Sequence, residues 1–221
     1  MIRVFIDIET LPTGDYPSLD EIQAPSNYKN PVKINAYKVA NQEEKYRKRA
    51  VNSLSGRILC IGYAIEDAPA LCIYSRDSER EVLERFNDII AEIVHGYTSP
   101  PNLAFIAHNG NMFDFKWIAQ RAIKYNLPAI KKYFPNSKFD SRGLDTMTLF
   151  GMTDYRDMSS MDNICAFLGI KSSKSEMDGS MVYEYWKDGK DDDIIKYCIS
   201  DIYTLRDIAT ALDIVATNDE V

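Results

Sequence analysis

Two acidic residues interrupt an apolar stretch near the start of the chain, in the segment Phe5-Ile6-Asp7-Ile8-Glu9-Thr10. The alternation of side chains predicts a β-strand over residues 1–9, in which Asp7 and Glu9 leave the same face about 6–7 Å apart. Two like charges held so close are unfavourable in a protein interior unless a positive charge lies between them. A strand end that reaches solvent is the alternative explanation for this pair taken alone.

Further acids occupy comparable positions later in the chain. Asp114 is expected in the first turn of the helix that follows a predicted strand, and Asp201 in the middle of a C-terminal helix, beside its apolar face. Tyr197 precedes Asp201 by four residues, so the two side chains project from nearly the same helix face. Together with the two strand carboxylates, these acids predict an all-oxygen site, which suits hard divalent cations such as Mg²⁺ or Mn²⁺ rather than zinc.

The elements that must position these side chains follow from periodicity and turn residues. After the first strand, the sequence predicts a hairpin of two strands (56–75, turning at 66–69), a helix (78–95, capped by Ser78), strand–turn–helix (102–125), strand–helix (143–151), a helix ending at Gly169 and a last helix (191–215). A hairpin followed by strand–helix alternation indicates a mixed α/β sheet with helices on its faces. Residues 13–57 are predicted to form an insertion between the first two strands, with one helix in residues 41–54.

Composition narrows the class of protein. The chain has 221 residues, a hydrophobic fraction of 45% and a net charge of -7, which favours one globular domain and disfavours coating of nucleic acid by bulk charge. The charge is uneven, because residues 116–142 carry seven bases and one acid. Such a run is either a solvated face or a surface that faces a substrate.

The expected location follows from apolar runs and cysteines. No apolar run reaches the roughly 18 residues that a membrane helix needs, and the N-terminus lacks the pattern of a signal peptide. The four cysteines have no CxxC spacing and stand in apolar surroundings: Cys60, Cys72, Cys165 and Cys198. This usage favours reduced core thiols in a cytoplasmic protein over disulfides or zinc ligands.

Three motifs of the chain resemble those of the DEDD superfamily of 3′→5′ exonucleases. "FIDIET" is similar to the first motif, "HNGNMFD" to the second and "YCISD" to the third, in the tyrosine-bearing DEDDy subtype. The chain looks like the stand-alone exonucleases related to the proofreading domain of family B DNA polymerases, and the resemblance covers nearly its whole length. It departs from the family at Phe115-Lys116, where an apolar residue and often a proline are expected.

The resemblance implies a fold and an activity. The fold would be ribonuclease H-like, a single domain with a mixed sheet flanked by helices. The activity would be 3′→5′ exonucleolytic hydrolysis of single-stranded DNA with two divalent ions, Mg²⁺ or Mn²⁺. By the same resemblance, Asp7 bridges both ions, while Glu9 and Asp201 complete the nucleophile-side ion. Asp114 supports the other ion, largely through water, and Tyr197 holds the attacking water.

Candidate substrate contacts are Thr10, Asn109 and Phe113, and further candidates for base stacking are Phe115 and Trp117. Backbone amides of the Asn109–Asn111 turn could bind a phosphate at the start of the following helix, although an ordinary tight turn explains the same residues. Trp117 is alternatively a core residue. His108, beside the turn, is expected to be structural, with a supporting role near the metals as the alternative.

Partners and alternatives follow from size and fold. The chain is too short for a polymerase domain beside this fold, so we expect it to act alone on the 3′ ends of single-stranded DNA or with a separate polymerase chain, and not at a membrane. An RNA-trimming exoribonuclease, an endonuclease or resolvase, and a non-catalytic nucleic-acid-binding subunit remain alternatives. A basic run in the insertion is either a mixed-charge surface helix or a phosphate-contacting border of the substrate groove: Lys45, Arg47, Lys48 and Arg49.

Overall fold

The computed structural model describes residues 1–99, 101–152, 154, 156, 158–171 and 177–214. The chain divides into two compact units, which we call the sheet unit (Met1–Glu9 with Ile58–Val221) and the insertion unit (Thr10–Arg57). Residues 172–176, in a segment that resembles the exonuclease family, and residue 215, the expected end of the last helix, lie outside the described residues.

A five-stranded mixed sheet lies at the centre of the sheet unit. Its strands are β1 (Ile2–Pro12), β2 (Gly56–Ile65), β3 (Leu71–Tyr74), β4 (Leu103–Ala107) and β5 (Gly143–Asp145). They stand in the order β3-β2-β1-β4-β5. The β2–β3 pair is antiparallel, which confirms the hairpin, and β4 runs parallel to both β1 and β5. The carboxyl ends of parallel neighbours meet at one edge of a sheet, so the end of β1 lies beside the turn that follows β4.

Eight α-helices are described. They are α1 (Pro31–Arg47), α2 (Glu79–His95), α3 (Asp114–Tyr125), α4 (Pro128–Tyr133), α5 (Thr146–Gly151), α6 (Met161–Leu168), α7 (Val182–Lys187) and α8 (Asp191–Ala211). As predicted, the Ser78 hydroxyl caps α2 by accepting the Glu81 N–H, and Gly169 ends α6 in the left-handed region at φ 70°. Within the described residues, no helix combines the length and the apolar character that a bilayer crossing would need.

The two faces of the sheet bury separate cores, as the alternation along β1 predicts. Val4, Ile6 and Ile8 pack in a core that includes residues of α2, α3 and α4. Phe5 points the other way, into a core with residues of α8. Since Asp7 and Glu9 share the parity of Phe5, their side chains leave β1 on the face that α8 covers.

The insertion unit contains α1, which differs from the prediction. The helix begins at Pro31 rather than at Asn41, because the Asn30 side chain accepts the Val32 N–H and Pro31 occupies the first turn. It ends at Arg47, where a 3₁₀ turn over Lys48–Val51 follows. An Asn-Pro pair at a helix start is a local signal that periodicity alone overlooks.

The four bases of the insertion have partners inside this unit. Lys45 donates to the Glu21 carbonyl, and Arg47 and Lys48 pair with acids one turn earlier on α1, at 2.9 and 2.6 Å. Arg49 donates to the carbonyls of Thr13 and Asp15, at 3.1 and 2.5 Å. These contacts favour the mixed-charge surface helix over the phosphate-contacting border.

Candidate metal centre

Three carboxylates from two elements meet where β1 ends beneath α8. Asp7 and Glu9 come from the strand, and Asp201 projects from the middle of α8. Each offers one carboxylate oxygen, and these oxygens all lie within 4.8 Å of one another. The two-residue spacing along β1 puts Asp7 and Glu9 on one face of the strand, and the packing of α8 on the sheet brings Asp201 to them.

Asp114 reaches the same strand through a different contact. It is the first residue of α3, and its Oδ1 accepts the N–H of Ile8 at 3.0 Å. Because Ile8 stands between Asp7 and Glu9, this contact fixes the fourth carboxylate beside the strand pair. Only 2% of Asp114 is exposed. Asp114, which follows the turn after β4, therefore lies at the end of β1, as the parallel pairing of these strands predicts.

Burial raises the pKa of all four carboxyls, and neighbouring negative charge adds to it. The pKa values of Asp7 and Glu9 lie well above the usual range, first because of burial and then because of the neighbouring carboxylates. Burial raises the pKa of Asp114 to about 7 and that of Asp201 to about 6. In the part of the chain that the structure describes, none of the four forms an ion pair with a lysine or arginine.

The donor set fits hard divalent cations. A buried group of carboxylates with no basic partner is unfavourable by itself, and a bound cation would supply the missing positive charge. Carboxylate oxygens are the ligands that Mg²⁺ and Mn²⁺ prefer. The cluster can therefore bind such ions, with Asp7, Glu9 and Asp201 as one ligand group and Asp114 beside it.

Tyr197 lies one helical turn before Asp201 on α8, so its phenol lies beside that carboxylate. Burial, followed by the charges of Glu9, Asp201 and Asp7, raises the pKa of the Tyr197 phenol far above its usual range. The phenol therefore keeps its proton throughout the neutral range. It can orient a neighbouring molecule by hydrogen bonding, but it is a poor acceptor of a proton.

The Asn109–Asn111 turn is held by Asp145, a residue that the sequence reasoning missed. The Asp145 carboxylate accepts the N–H of Asn109 at 2.9 Å and that of Asn111 at 3.0 Å. These two amides are thus already hydrogen-bonded, so the tight-turn explanation holds and the phosphate-binding prediction is wrong for them. The available signal was an acid at the end of β5, where it also caps α5 by accepting from Met147. The Asn109 side chain stays a candidate substrate contact.

The aromatic candidates divide between core and surface. Phe115 and Trp117 are only 4% and 1% exposed, so the prediction that they stack on bases is wrong. They face the core that α3 shares with the sheet. Phe113 is half-buried, with its ring centroid 5.6 Å from that of Trp117. It alone of these three keeps partial access to solvent.

Thr10 and His108 have protein partners. The Thr10 hydroxyl donates to the Ala50 carbonyl at 2.6 Å inside the insertion unit. His108 contacts the Thr146 hydroxyl through Nδ1 at 2.9 Å and the Ser159 carbonyl through Nε2 at 3.0 Å. With both ring nitrogens engaged, His108 is structural, as expected. Thr10 remains a candidate substrate contact on sequence grounds.

The basic run of residues 116–142 contains paired and exposed members. Arg121 and Lys124 pair with Glu79, at 2.6 and 3.4 Å, and Arg142 pairs with the acid two positions before it. A cavity of about 400 Å³ lies along α3 and α4, and the exposed bases that line it are Lys116, Lys131 and Lys138. Lys116 follows Asp114 by two residues on α3, which places the two side chains about 200° apart around the helix, so this lysine-lined cavity and the carboxylate cluster lie on different faces of α3.

Comparison with known proteins gives a family and a fold. Residues 70–205 match the family described as a predicted 3′-5′ exonuclease related to the exonuclease domain of PolB. Among curated proteins, no sequence matches. The family B DNA polymerase from the hyperthermophilic archaeon Pyrobaculum calidifontis matches with a TM-score of 0.63 and 17% identity, over 96% of this chain and 24% of that chain. The likeness confirms the ribonuclease H-like mixed sheet, and this chain corresponds to a part of that polymerase.

Proposed function

The chain belongs to the family of predicted 3′-5′ exonucleases related to the exonuclease domain of PolB, and from that premise we propose that it hydrolyses single-stranded DNA from the 3′ end with two divalent cations. The observation that carries the proposal is the group of four carboxylates, two buried (Glu9 and Asp114) and two half-buried (Asp7 and Asp201), which has no basic partner among the described residues. A buried acid with only a structural role would be paired with a basic side chain, as Glu79 is with Arg121.

The ligands of the two ions follow from the grouping of the carboxylates. Asp7, Glu9 and Asp201 would hold one cation, since their oxygens lie within 4.8 Å of one another. Asp114 would support the second with Asp7, because its contact with the Ile8 amide holds it beside the strand. Divalent ions bound there would acidify the attacking water and stabilise the charge that develops on the leaving oxygen.

Tyr197 orients the nucleophile. Its phenol keeps its proton and lies beside Asp201, so its oxygen can accept a hydrogen bond from the attacking water and set the direction of attack. The raised pKa of the phenol argues against proton transfer to it. Tyr197 is therefore a positioning group, and the proton of the water must leave by another path.

A substrate strand that leaves the cluster would pass around α3 to reach the lysine-lined cavity. The lysines that line the cavity (Lys116, Lys131 and Lys138) supply positive charge that attracts a phosphate backbone. Half-buried Phe113, at the N-terminal end of the same helix, could stack on an unpaired base. The choice of DNA over RNA is supported by the relation of the family to PolB alone.

A nuclease assay tests the proposal. The protein is incubated with matched DNA and RNA oligonucleotides, labelled at either end, in Mg²⁺, Mn²⁺ or chelator, beside a closed single-stranded DNA circle. We expect a shortening ladder from 5′-labelled DNA, labelled mononucleotide from 3′-labelled DNA, an intact circle and no reaction in chelator. Asp7→Asn is the inactive variant, and Asp88→Asn, on α2, is the matched control.

Each other outcome has a distinct meaning. Labelled mononucleotide from the 5′ label at the earliest times contradicts the direction of attack. Cleavage of the circle indicates an endonuclease. Digestion of RNA alone indicates the exoribonuclease. Binding of oligonucleotides without any cleavage, in either metal, indicates a non-catalytic subunit.

A further inference from the structure

Three of the four cysteines converge, although nothing in their sequence spacing indicates it. Cys60 lies on β2, Cys72 on β3 and Cys198 on α8, and their Sγ atoms are all within 4.8 Å of one another. All three are free thiols. Cys60 and Cys198 are buried, whereas Cys72 is partly exposed. The group is thus an interior cluster of three sulfurs with one side near solvent.

A glycine makes room for this cluster. In the β2–β3 ladder, Gly62 stands opposite Cys72, and Cys60 stands opposite Tyr74, so the two strand cysteines are diagonal neighbours on one face. A Cβ built on Gly62 would lie 2.7 Å from the Sγ of Cys198. The missing side chain at Gly62 is therefore what lets α8 bring Cys198 against both strand thiols.

The arrangement suits a shared cation better than a disulfide between the strands. Diagonal neighbours have Cα atoms about 7–8 Å apart, whereas a disulfide needs about 4.4–6.8 Å. Bridging Cys60 to Cys72 would therefore require the strands to move. Three thiolates on one zinc ion, each at about 2.3 Å, stand roughly 3.8 Å from one another in tetrahedral geometry. That separation lies inside the 4.8 Å limit of the three sulfurs.

We propose that Cys60, Cys72 and Cys198 form a second metal site, which binds one thiophilic divalent cation of the zinc class. Soft thiolate ligands select against Mg²⁺ and Mn²⁺, so the site would not compete for the ions of the carboxylate cluster. Partly exposed Cys72 gives the ion an access path, and a water molecule on that side can be the fourth ligand.

The neighbouring carboxylate favours a divalent over a monovalent ion. The Sγ of Cys198 is 3.6 Å from Oδ2 of Asp7 and 3.8 Å from its carbonyl oxygen. Three thiolates around a divalent ion leave one net negative charge, whereas a monovalent ion such as Cu⁺ leaves two. Beside the acidic cluster, the smaller residual charge is the less repulsive state. The contact also makes Cys198 a link between the two sites.

Metal titration of the full chain tests the proposal. The probe is Zn²⁺ alone, added to reduced protein in excess Mg²⁺ and followed by competition with a chromophoric chelator. We expect one tightly bound Zn²⁺ per chain, and Co²⁺ in its place should give the intense absorption of thiolate-to-cobalt charge transfer. Cys72→Ser, at the partly exposed position, should weaken zinc binding by about 100-fold or more, since even outer-shell changes cost about 10–100-fold.

Matched variants separate this site from the carboxylate cluster. Cys165, on α6, is a buried cysteine that packs against Ile208 of α8. Cys165→Ser should leave zinc binding unchanged. Asp201→Asn should not weaken zinc binding, because it only lowers the negative charge near the site. Zinc binding that survives Cys72→Ser, or that is lost in Asp201→Asn alone, would overturn the proposal. A wild-type Co²⁺ spectrum without thiolate bands would do the same.

Discussion

Glu79 is a buried acid of the sheet unit and the carboxylate cluster is a largely buried group of acids, yet they are in opposite electrostatic states. Glu79 is 7% exposed and accepts hydrogen bonds from Arg121 at 2.6 Å, Tyr125 at 2.7 Å and the Ile58 N–H at 2.9 Å. Burial raises its pKa, but these donors outweigh burial, so the pKa lies below the usual value. Glu79 is a charge that the fold itself has neutralised.

Among the described residues, no lysine or arginine pairs with Asp7, Glu9, Asp114 or Asp201, and the pKa of each carboxyl is raised. The difference shows how a structural acid can be told from a functional one. A carboxylate that serves the fold is satisfied by neighbouring side chains, whereas one that serves a ligand is left incomplete. Opposite changes in activity and stability should follow when each region is altered.

The largest effect should come from removing charge in the cluster. Asp7→Asn and Asp201→Asn should each lower the exonuclease rate more than about 10³-fold, or about 4 kcal/mol of transition-state stabilisation. Without metal, the same variants should melt at or above the wild-type temperature, because a buried like charge has been removed. Initial rates in Mg²⁺ and melting curves in chelator check the two parts. Wild-type rates in either variant would contradict the assignment.

Removing charge at Glu79 should have the opposite pattern. Glu79→Gln leaves Arg121 buried without its ion pair, so we expect a loss of about 3–5 kcal/mol in the free energy of unfolding. Urea unfolding measures it, and the activity of the remaining folded protein should be normal. Glu84→Gln, which breaks an exposed pair with Arg80 on the same helix, should cost less than about 1 kcal/mol. Equal losses of unfolding free energy in the two variants would contradict the structural role of Glu79.

Two tyrosines provide a matched pair, since Tyr197 lies beside Asp201 and Tyr125 donates to Glu79 at 2.7 Å. Tyr197→Phe should lower kcat by about 10–100-fold through loss of nucleophile orientation, with metal affinity nearly unchanged. Tyr125→Phe should lower stability and leave kcat unchanged. Single-turnover rates, Mn²⁺ titration and thermal melts check both. A large loss of metal binding in Tyr197→Phe would make that residue a structural support of the ligands instead.

The pH dependence of stability should have opposite signs in the two regions. The pKa of Asp114 is raised to about 7 and that of Asp201 to about 6, from a usual value of 3.8. The metal-free folded chain therefore binds more protons than the unfolded chain between about pH 4 and pH 7. Its stability should fall as pH rises through that window, by at most about 1.4 kcal/mol per unit and group. Glu79, with its lowered pKa, contributes stability that is lost as pH falls below its usual pKa.

Urea unfolding at pH 5 and pH 7.5 in chelator measures this window. Wild-type protein should be less stable at pH 7.5, and Asp201→Asn should reduce the difference. Saturating Mg²⁺ should also reduce it, because the bound cation stabilises the ionised carboxylates. A wild-type chain that gains stability between these two values would show that the cluster is not strained by its own charge.

The smallest expected effect is on the salt dependence of single-strand binding, and it should differ between exposed bases and bases that already have partners. Lys116, Lys131 and Lys138 changed together to Gln should lower the log–log salt slope of single-strand binding by about 2, at roughly 0.7 per phosphate contact. The same change at Lys45, Arg47 and Lys48, which already have partners in the insertion unit, should alter the slope less. Oligonucleotide binding measured from low to high salt compares the two triple variants. A larger change of slope in the insertion variant would support phosphate contacts by the insertion instead.

The sequence by itself determined the features that depend on near neighbours in the chain. A strand repeats every two residues and a helix every 3.6, so the shared face of Asp7 and Glu9 and that of Tyr197 and Asp201 could be read directly. The caps at Ser78 and Gly169 are local as well. The start of α1 is equally local, because it depends on the Asn30 cap and on Pro31, a signal that periodicity does not contain.

Tertiary structure alone decided which of these faces meet. The hydrogen bond from the Asn109 N–H to Asp145 joins the ends of two strands, and it depends on the pairing of β4 with β5. Whether Trp117 stacks on a base or fills the core depends on what α3 packs against. The meeting of Cys198 with two strand thiols depends on the space left at Gly62. Burial and long-range approach are properties of packed surfaces, and no spacing along the chain contains them.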